Sequence, residues 1–119
     1  MKKFLAVFIG TAEGRERAGW DKMDEAARKA LEAKGMKAWG DWVAAHAKVI
    51  VDHGGPLGKT KRTARNGISD IRNSMAGYTI VEAESHEAAA RLFENHPHFM
   101  IFPGDSVEIM ERLPIPGQQ

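Results

Sequence analysis

The feature that most constrains the fold is the run from Phe4 to Ile9, in which six apolar residues follow one another before Gly10. Such a run is typical of a strand that is covered on at least one face. Two lysines precede it, as in a secretory leader, but the run is too short for the apolar region of a leader, and no small-residue cleavage site follows. The run therefore predicts a buried first strand.

Helical spacing follows this strand. From Trp20 to Leu31, apolar residues recur three or four positions apart and charged residues fill the positions between them, which predicts an amphipathic helix. Glycine is frequent just past a helix end, so Gly35 is predicted to end this helix. A second helix is then predicted from Met36, with Met36 and Trp39 in the core. The alternative is one long helix that is kinked at Gly35.

The second half of the chain contains one more helical pattern among extended segments. Ser85 is a good N-cap and Pro97 a helix terminator, so a helix is predicted from His86 to about Asn95. The other predicted segments are an extended stretch from Lys48 to Val51, an edge strand or long loop from Lys59 to Ile71, a strand from Ala76 to Glu84, a loop from Phe99 to Gly104, and a last strand from Ser106 to Leu113 with Val107 and Ile109 facing the core.

The predicted order is strand, helix in two pieces, strand, strand, helix, strand. This is the order of an α+β fold with a ferredoxin-like βαββαβ antiparallel sheet and helices on one face. The length suits one domain over residues 1–119, in which residues 113–119 are predicted to be a flexible tail. A sheet of this kind leaves one face open, and burial of that face predicts a homodimer.

Composition excludes several classes of function. The formal net charge is +1, which gives no general attraction to nucleic acid or to an anionic membrane surface. The chain has no cysteine for thiolate catalysis or a thiolate metal site, and no stretch reaches the length of a membrane span. The sequence therefore predicts a cytoplasmic protein with no nucleic-acid partner, no membrane partner and no cofactor.

The segment Val51 to Gly58, VDHGGPLG, is the first candidate for a site. Asp52 and His53 are neighbours in an extended chain, so their side chains point to opposite faces and do not form a dyad with each other. Asp52 either acts as a base or orients a histidine from elsewhere, or it closes a turn by bonding to nearby backbone. The glycines allow positive φ and close backbone approach, and Gly55-Pro56 indicates a bend.

Two histidines follow the last predicted helix. His96 and His98 lie just past its C-terminus, where the helix dipole favours imidazolium and predicts a modestly raised pKa. With Asp52 as its orienting carboxylate, His96 is the predicted acid–base residue if the protein is catalytic. The alternative is a capping role for one histidine and solvent exposure for the other. No metal site is predicted, because two histidines at this spacing need a third ligand, for which Asp52 and His53 are the only attractive donors, and no predicted helix has HxxxH or HExxH spacing.

Aromatic and basic residues supply the remaining candidates. Trp42 lies three positions after Trp39 and flanks the apolar stripe, where it is predicted to line a pocket or a dimer contact, with core packing as the alternative. The basic run from Lys59 to Arg65 contains no aromatic residue for base stacking and no glycine-rich phosphate cradle. This run is predicted to be a solvated edge.

Several segments together resemble one known family. They are KFLAVFIG, the tryptophan pair in AWGDWV, VIVDHGGPLG, the strand AGYTIVEAES followed by HEAAARLFENHPHF, and the ending SVEIMERLPI. From about residue 3 to residue 115 they occur in the order found in YciI-like proteins, also called YCII-related or DGPF-domain proteins. The resemblance implies a dimeric α+β barrel with a pocket between sheet and helices, near the ends of the strands.

The chain departs from that family at two places. The string DGPF is absent, although Gly55-Pro56 matches its glycine–proline step. Some members carry a histidine on the first helix and an aspartate before a proline after the second helix, proposed as a catalytic pair. At the matching places this chain has no histidine near Lys37 to Trp39 and has His96 before the proline. The prediction is a homodimeric small-molecule-binding protein of unassigned activity, with a small-molecule enzyme using His–Asp acid–base chemistry as the alternative. The predicted ligand-binding residues are Trp39, Trp42, His53, Gly55 and Pro56, and the predicted catalytic residues are His96 and Asp52.

Overall fold

An antiparallel sheet of four strands organises the fold, which a computed structural model describes for residues 1–117. The elements are β1 Lys2–Ile9, α1 Ala12–Ala18, a 3-10 turn Trp20–Lys22, α2 Glu25–Ala45, β2 Ile50–Pro56, β3 Thr60–Ala64, β4 Gly67–Ile71, β5 Met75–Ala83, α3 His86–Arg91, α4 Pro97–Met100 and β6 Ser106–Glu111. The strand order in the sheet is β2-β5-β1-β6, and β3 and β4 form a separate hairpin. The predicted α+β class is confirmed. Within residues 1–117 no helix is both long and apolar enough to cross a membrane.

The two central strands supply most of the core. Alternate residues of β1 and β5 point toward the helices, because side chains of a strand alternate between its faces. Phe4 lies opposite Val81 in the register of these strands, and both side chains are fully buried. Ala89 of α3 and Phe93 in the following turn pack against them. β1 is therefore the covered strand that its apolar run predicts.

The opposite face of the sheet carries a short apolar row. Leu5 of β1 pairs with Ile80 of β5 on one side and with Met110 of β6 on the other. Leu5 and Ile80 are half-buried, whereas Met110 is exposed. The sheet thus presents apolar side chains on the face away from its core.

One long helix replaces the two that were predicted around Gly35. α2 spans Glu25–Ala45 without interruption, and Trp20 lies before it in the 3-10 turn. Gly35 is buried within α2, and a Cβ added there would lie 2.5 Å from the ring of Phe102. The glycine therefore permits close packing against the segment that follows α4 instead of ending the helix. The predicted core position of Met36 is also wrong, since this residue is 65% exposed.

Two further stretches form regular structure. α1 lies in the polar segment that follows β1, and Thr11 caps it by accepting a hydrogen bond from the N–H of Gly14 at 3.0 Å. The stretch predicted to be an edge strand or loop forms the β3–β4 hairpin, whose strands pair only with each other. An ion pair of 2.7 Å joins Lys61 and Asp70 across this hairpin. The basic run is exposed, as predicted.

The last predicted helix is shorter, and another follows it. Ser85 caps α3 as predicted, by accepting a hydrogen bond from the N–H of Ala88 at 3.1 Å, but α3 ends at Arg91. Pro97 starts α4, because a proline in the first turn of a helix forfeits no internal hydrogen bond. α4 thus extends into the stretch predicted to be a loop.

The last predicted strand is present but ends two residues earlier than predicted. β6 ends at Glu111, and Val107 and Ile109 pack against the core. Residues 113–117 of the predicted tail form no helix or strand, and residues 118–119 lie outside the described residues.

Candidate functional site

A cavity of about 380 Å³ lies between α2 and the β2–β5 edge of the sheet. This volume falls within the range of about 300–1,000 Å³ that is typical of small-molecule sites. Most of the wall is apolar or aromatic. The lining residues are Phe8, Met36, Trp39, Trp42, Val43, Ile50, His53, Gly55, Pro56, Ala76, Gly77, Tyr78, Thr79, His98 and Phe102.

The residues predicted to bind a ligand all line this cavity. Trp39 and Trp42 come from α2, and His53, Gly55 and Pro56 come from β2. The indole N–H of Trp42 donates a 2.9 Å hydrogen bond to a carbonyl oxygen beyond α3, which fixes its ring. The structure therefore brings the predicted ligand-binding residues together, while their binding of a ligand remains a prediction.

Irregular pairing of β2 with β5 sets the position of the cavity edge. Gly54 has φ of +64°, and the carbonyl oxygen of Tyr78 occupies the place where a Cβ on Gly54 would lie. The Asp52 carboxylate accepts a 2.8 Å hydrogen bond from the N–H of Gly54, and the Asp52 carbonyl accepts one of the same length from the hydroxyl of Thr79. The side chain of Asp52 thus closes a turn by bonding to nearby backbone, which is one of the two roles that the sequence allows.

The predicted catalytic pair is not brought together at the cavity. Asp52 is exposed, whereas His96 has no exposed surface, and neither residue lines the cavity. The catalytic role of Asp52 and His96 remains a prediction.

His96 lies behind the aromatic wall of the cavity. Its ring centroid is 4.5 Å from that of Trp39, 4.8 Å from that of Trp42 and 5.1 Å from that of Phe8. Nδ1 of His96 accepts a 3.0 Å hydrogen bond from the N–H of His98 and caps α4. The proton of the neutral imidazole is therefore on Nε2, which is buried and has no hydrogen-bond partner within residues 1–117.

The predicted rise in the histidine pKa values is wrong. Burial, together with the smaller effects of the neighbouring His98 and His46, lowers the pKa of His96 to about 4. Burial also lowers the pKa of His98, against the opposing effects of the Ile9 carbonyl and of Asp105. Loss of hydration disfavours the imidazolium form more than the end of a short helix favours it.

His98 lines the cavity and is buried, so the alternative prediction that one of the two histidines is exposed to solvent is wrong. Its Nε2 lies 2.7 Å from the carbonyl oxygen of Ile9, and because a carbonyl only accepts, Nε2 carries the proton. The lowered pKa keeps the ring neutral at pH 7. Nδ1 of His98 is then an unprotonated acceptor.

The sequence prediction missed the lining residues Phe8, His98 and Phe102. A signal for His98 was present, since Pro97 marks the first turn of a helix and places the next residue inside it. No local signal identifies Phe102, because its position depends on packing against Gly35.

Within residues 1–117 no three metal-ligating side chains converge on one point.

Comparison with known proteins gives a structural likeness. Neither a protein-family model nor a curated protein matches the sequence. Among solved structures, the chain is similar to the 5-chloro-2-hydroxyhydroquinone dehydrochlorinase of Burkholderia phenoliruptrix, determined in complex with 2,5-dihydroxybenzoquinone. The TM-score is 0.56 and the identity 15%, over 98% of this chain and 99% of that one. At this identity the likeness shows a shared fold over nearly the full length of both chains.

Proposed function

We propose that this chain is a cytoplasmic, homodimeric small-molecule-binding protein of the YciI-like family, folded as a single domain over residues 1–119. Its ligand is a flat, mostly apolar molecule that binds in the cavity between α2 and the β2–β5 edge. The observation that carries the proposal is the aromatic wall of this cavity. A solved structure of similar fold holds 2,5-dihydroxybenzoquinone, which is a flat ring.

The geometry of the wall favours a flat ligand. Trp39 and Phe8 lie with ring centroids 4.9 Å apart, and Trp39 and Phe102 with centroids 6.1 Å apart. Aromatic rings at such distances present faces and edges against which another ring packs. The lining has few polar groups, so burial of apolar ligand surface is the main expected source of affinity.

Titration with 2-naphthol in a calorimeter tests this proposal. We expect saturable binding, and at roughly one hundred times the dissociation constant the ligand is expected to raise the free energy of unfolding by about 2.7 kcal/mol. Trp39→Leu removes part of the aromatic wall and is expected to weaken binding by roughly tenfold.

Trp20→Phe is the matched control, because Trp20 is buried outside the cavity lining and its replacement is expected to leave the affinity unchanged. Absence of saturable binding to the wild-type protein contradicts the proposal. Equal losses in the two variants contradict the location of the site.

The homodimer is supported by the apolar row on the open face of the sheet. Light scattering at micromolar concentration is expected to give twice the chain mass of 13.1 kDa. Leu5→Glu places a charge in the middle of the row, between Ile80 and Met110, and is expected to give monomers. A wild-type monomer under these conditions contradicts the dimer.

An enzyme is the second candidate function. It is favoured by one observation, since the protein with the same fold is named a dehydrochlorinase. Catalysis by the predicted pair requires Asp52 to move toward the cavity, which it does not line, and His96 to reach a ligand past Trp39 and Trp42. Binding without turnover requires neither movement, and is therefore placed first.

A further inference from the structure

We propose that Nδ1 of His98 is the hydrogen-bond acceptor of the cavity and that it selects aromatic ligands carrying a hydroxyl group, as phenols and naphthols do. The inference rests on the proposed function, because it requires the cavity to bind an aromatic molecule. It adds the chemical class of the ligand and the atom that recognises it.

The orientation of the His98 ring is fixed from two sides. Its Nε2 donates to the carbonyl oxygen of Ile9 at 2.7 Å, and its backbone N–H donates to Nδ1 of His96 at 3.0 Å. A Cβ on Gly104 would overlap the Cε1–Nε2 edge of the ring, so this edge faces Gly104 and Ile9. The fixed tautomer leaves Nδ1 with a lone pair and no proton.

His98 keeps some exposed surface at the cavity. The residue lines the cavity and is 7% exposed as a whole. Within residues 1–117, no hydrogen-bond partner is found for Nδ1 of His98. The fully buried polar side-chain atom that lacks a partner there is Nε2 of His96, so Nδ1 of His98 is not fully buried. We infer that a ligand reaches Nδ1 from the cavity that His98 lines.

The other polar groups of the lining are less suited to this role. The hydroxyl of Thr79 donates to the carbonyl of Asp52 and keeps its lone pairs, but a hydroxyl oxygen is a weaker acceptor than a neutral imidazole nitrogen. His53 is exposed, and Tyr78 is half-buried, so water competes for their polar atoms. A buried acceptor such as Nδ1 of His98 discriminates more strongly between ligands than an exposed one, because a ligand that lacks a donor leaves it unsatisfied.

The experiment compares two probes of nearly equal size, 2-naphthol and 2-methylnaphthalene. The ratio of their dissociation constants is measured for the wild-type protein and for His98→Gln. Glutamine retains an amide N–H to donate to Ile9 but offers no acceptor at the position of Nδ1. We expect the preference for 2-naphthol, measured as this ratio, to be about tenfold smaller in the variant, because one neutral hydrogen bond to a buried acceptor is lost.

His98→Asn provides the rescue variant, since its side-chain oxygen lies near the position of Nδ1, and it is expected to regain part of the preference. A measurement on the wild-type protein needs no variant to fold: the 15N resonance of His98 Nδ1 is expected to shift with 2-naphthol and not with 2-methylnaphthalene.

An unchanged ratio in His98→Gln, or equal 15N shifts with the two probes, overturns the role of His98 and leaves the proposed function standing. Failure of both probes to bind the wild-type protein overturns the proposed function itself. The two failures are therefore distinguishable.

Discussion

Lowering the pH from 7 to 4 is expected to reduce the free energy of unfolding by about 3 kcal/mol through His96 alone. The pKa of His96 is about 4 in the folded protein, compared with an ordinary value of 6.5. Between these values the unfolded chain binds more protons than the folded protein, so stability falls as the pH falls. Above pH 6.5 both states hold a neutral imidazole, and the contribution is constant. Urea unfolding at several pH values measures this change in the free energy of unfolding.

His96→Asn is the matched variant for this prediction. Asparagine is a good N-cap, so its oxygen replaces Nδ1 as the acceptor for the N–H of His98. The variant is expected to be less stable at pH 7, because the ring leaves a void, but to lose much less stability between pH 7 and 4. The pKa of His98 is shifted in the same direction, so part of the pH dependence remains. Equal pH dependence in the variant and the wild type contradicts the role of His96.

Gly54→Ala is expected to lower the free energy of unfolding by about 3 kcal/mol. Gly54 has a positive φ, which costs alanine backbone strain, and its Cβ would overlap the carbonyl oxygen of Tyr78 on β5. Relief of the overlap requires β2 to move away from β5 at the cavity edge. Thermal or urea unfolding measures the loss.

Gly55→Ala is the control for this prediction, because no atom lies within 4 Å of the added Cβ and the backbone φ is not positive. Its stability is expected to remain within about 0.5 kcal/mol of the wild type. A loss of equal size in the two variants would show that the glycines serve flexibility in general and not one tight approach.

Sequence patterns correctly predicted those helices and strands whose formation depends on residues close together in the chain. The apolar run of β1 and the alternation in β5 identified the central strands, and Ser85 identified the start of α3. The aromatic and glycine positions of the cavity were also accessible from sequence, because Trp39 and Trp42 follow helical spacing and Gly55-Pro56 indicates a bend. These features depend on residues that are close together in the chain.

Features that depend on distant contacts were not predictable in the same way. Gly35 has a low helix propensity, yet α2 continues through it because Phe102 packs against the bare backbone. His96 follows a helix end, which alone raises a histidine pKa, but Phe8 and the tryptophans of α2 surround its ring and reverse the sign. In both cases tertiary packing outweighs the local preference.

The β3–β4 hairpin gives the molecule a separable appendage. Thr60 lies opposite Ile71 at its base, so the chain leaves the sheet and returns to it at nearly the same point. Its turn at residues 65–66 is solvent-exposed and pairs with no strand of the four-stranded sheet. Changes in length at such a tip leave the flanking backbone in place. The hairpin is therefore the position at which a reporter group or an inserted sequence can be carried while the cavity wall keeps its shape.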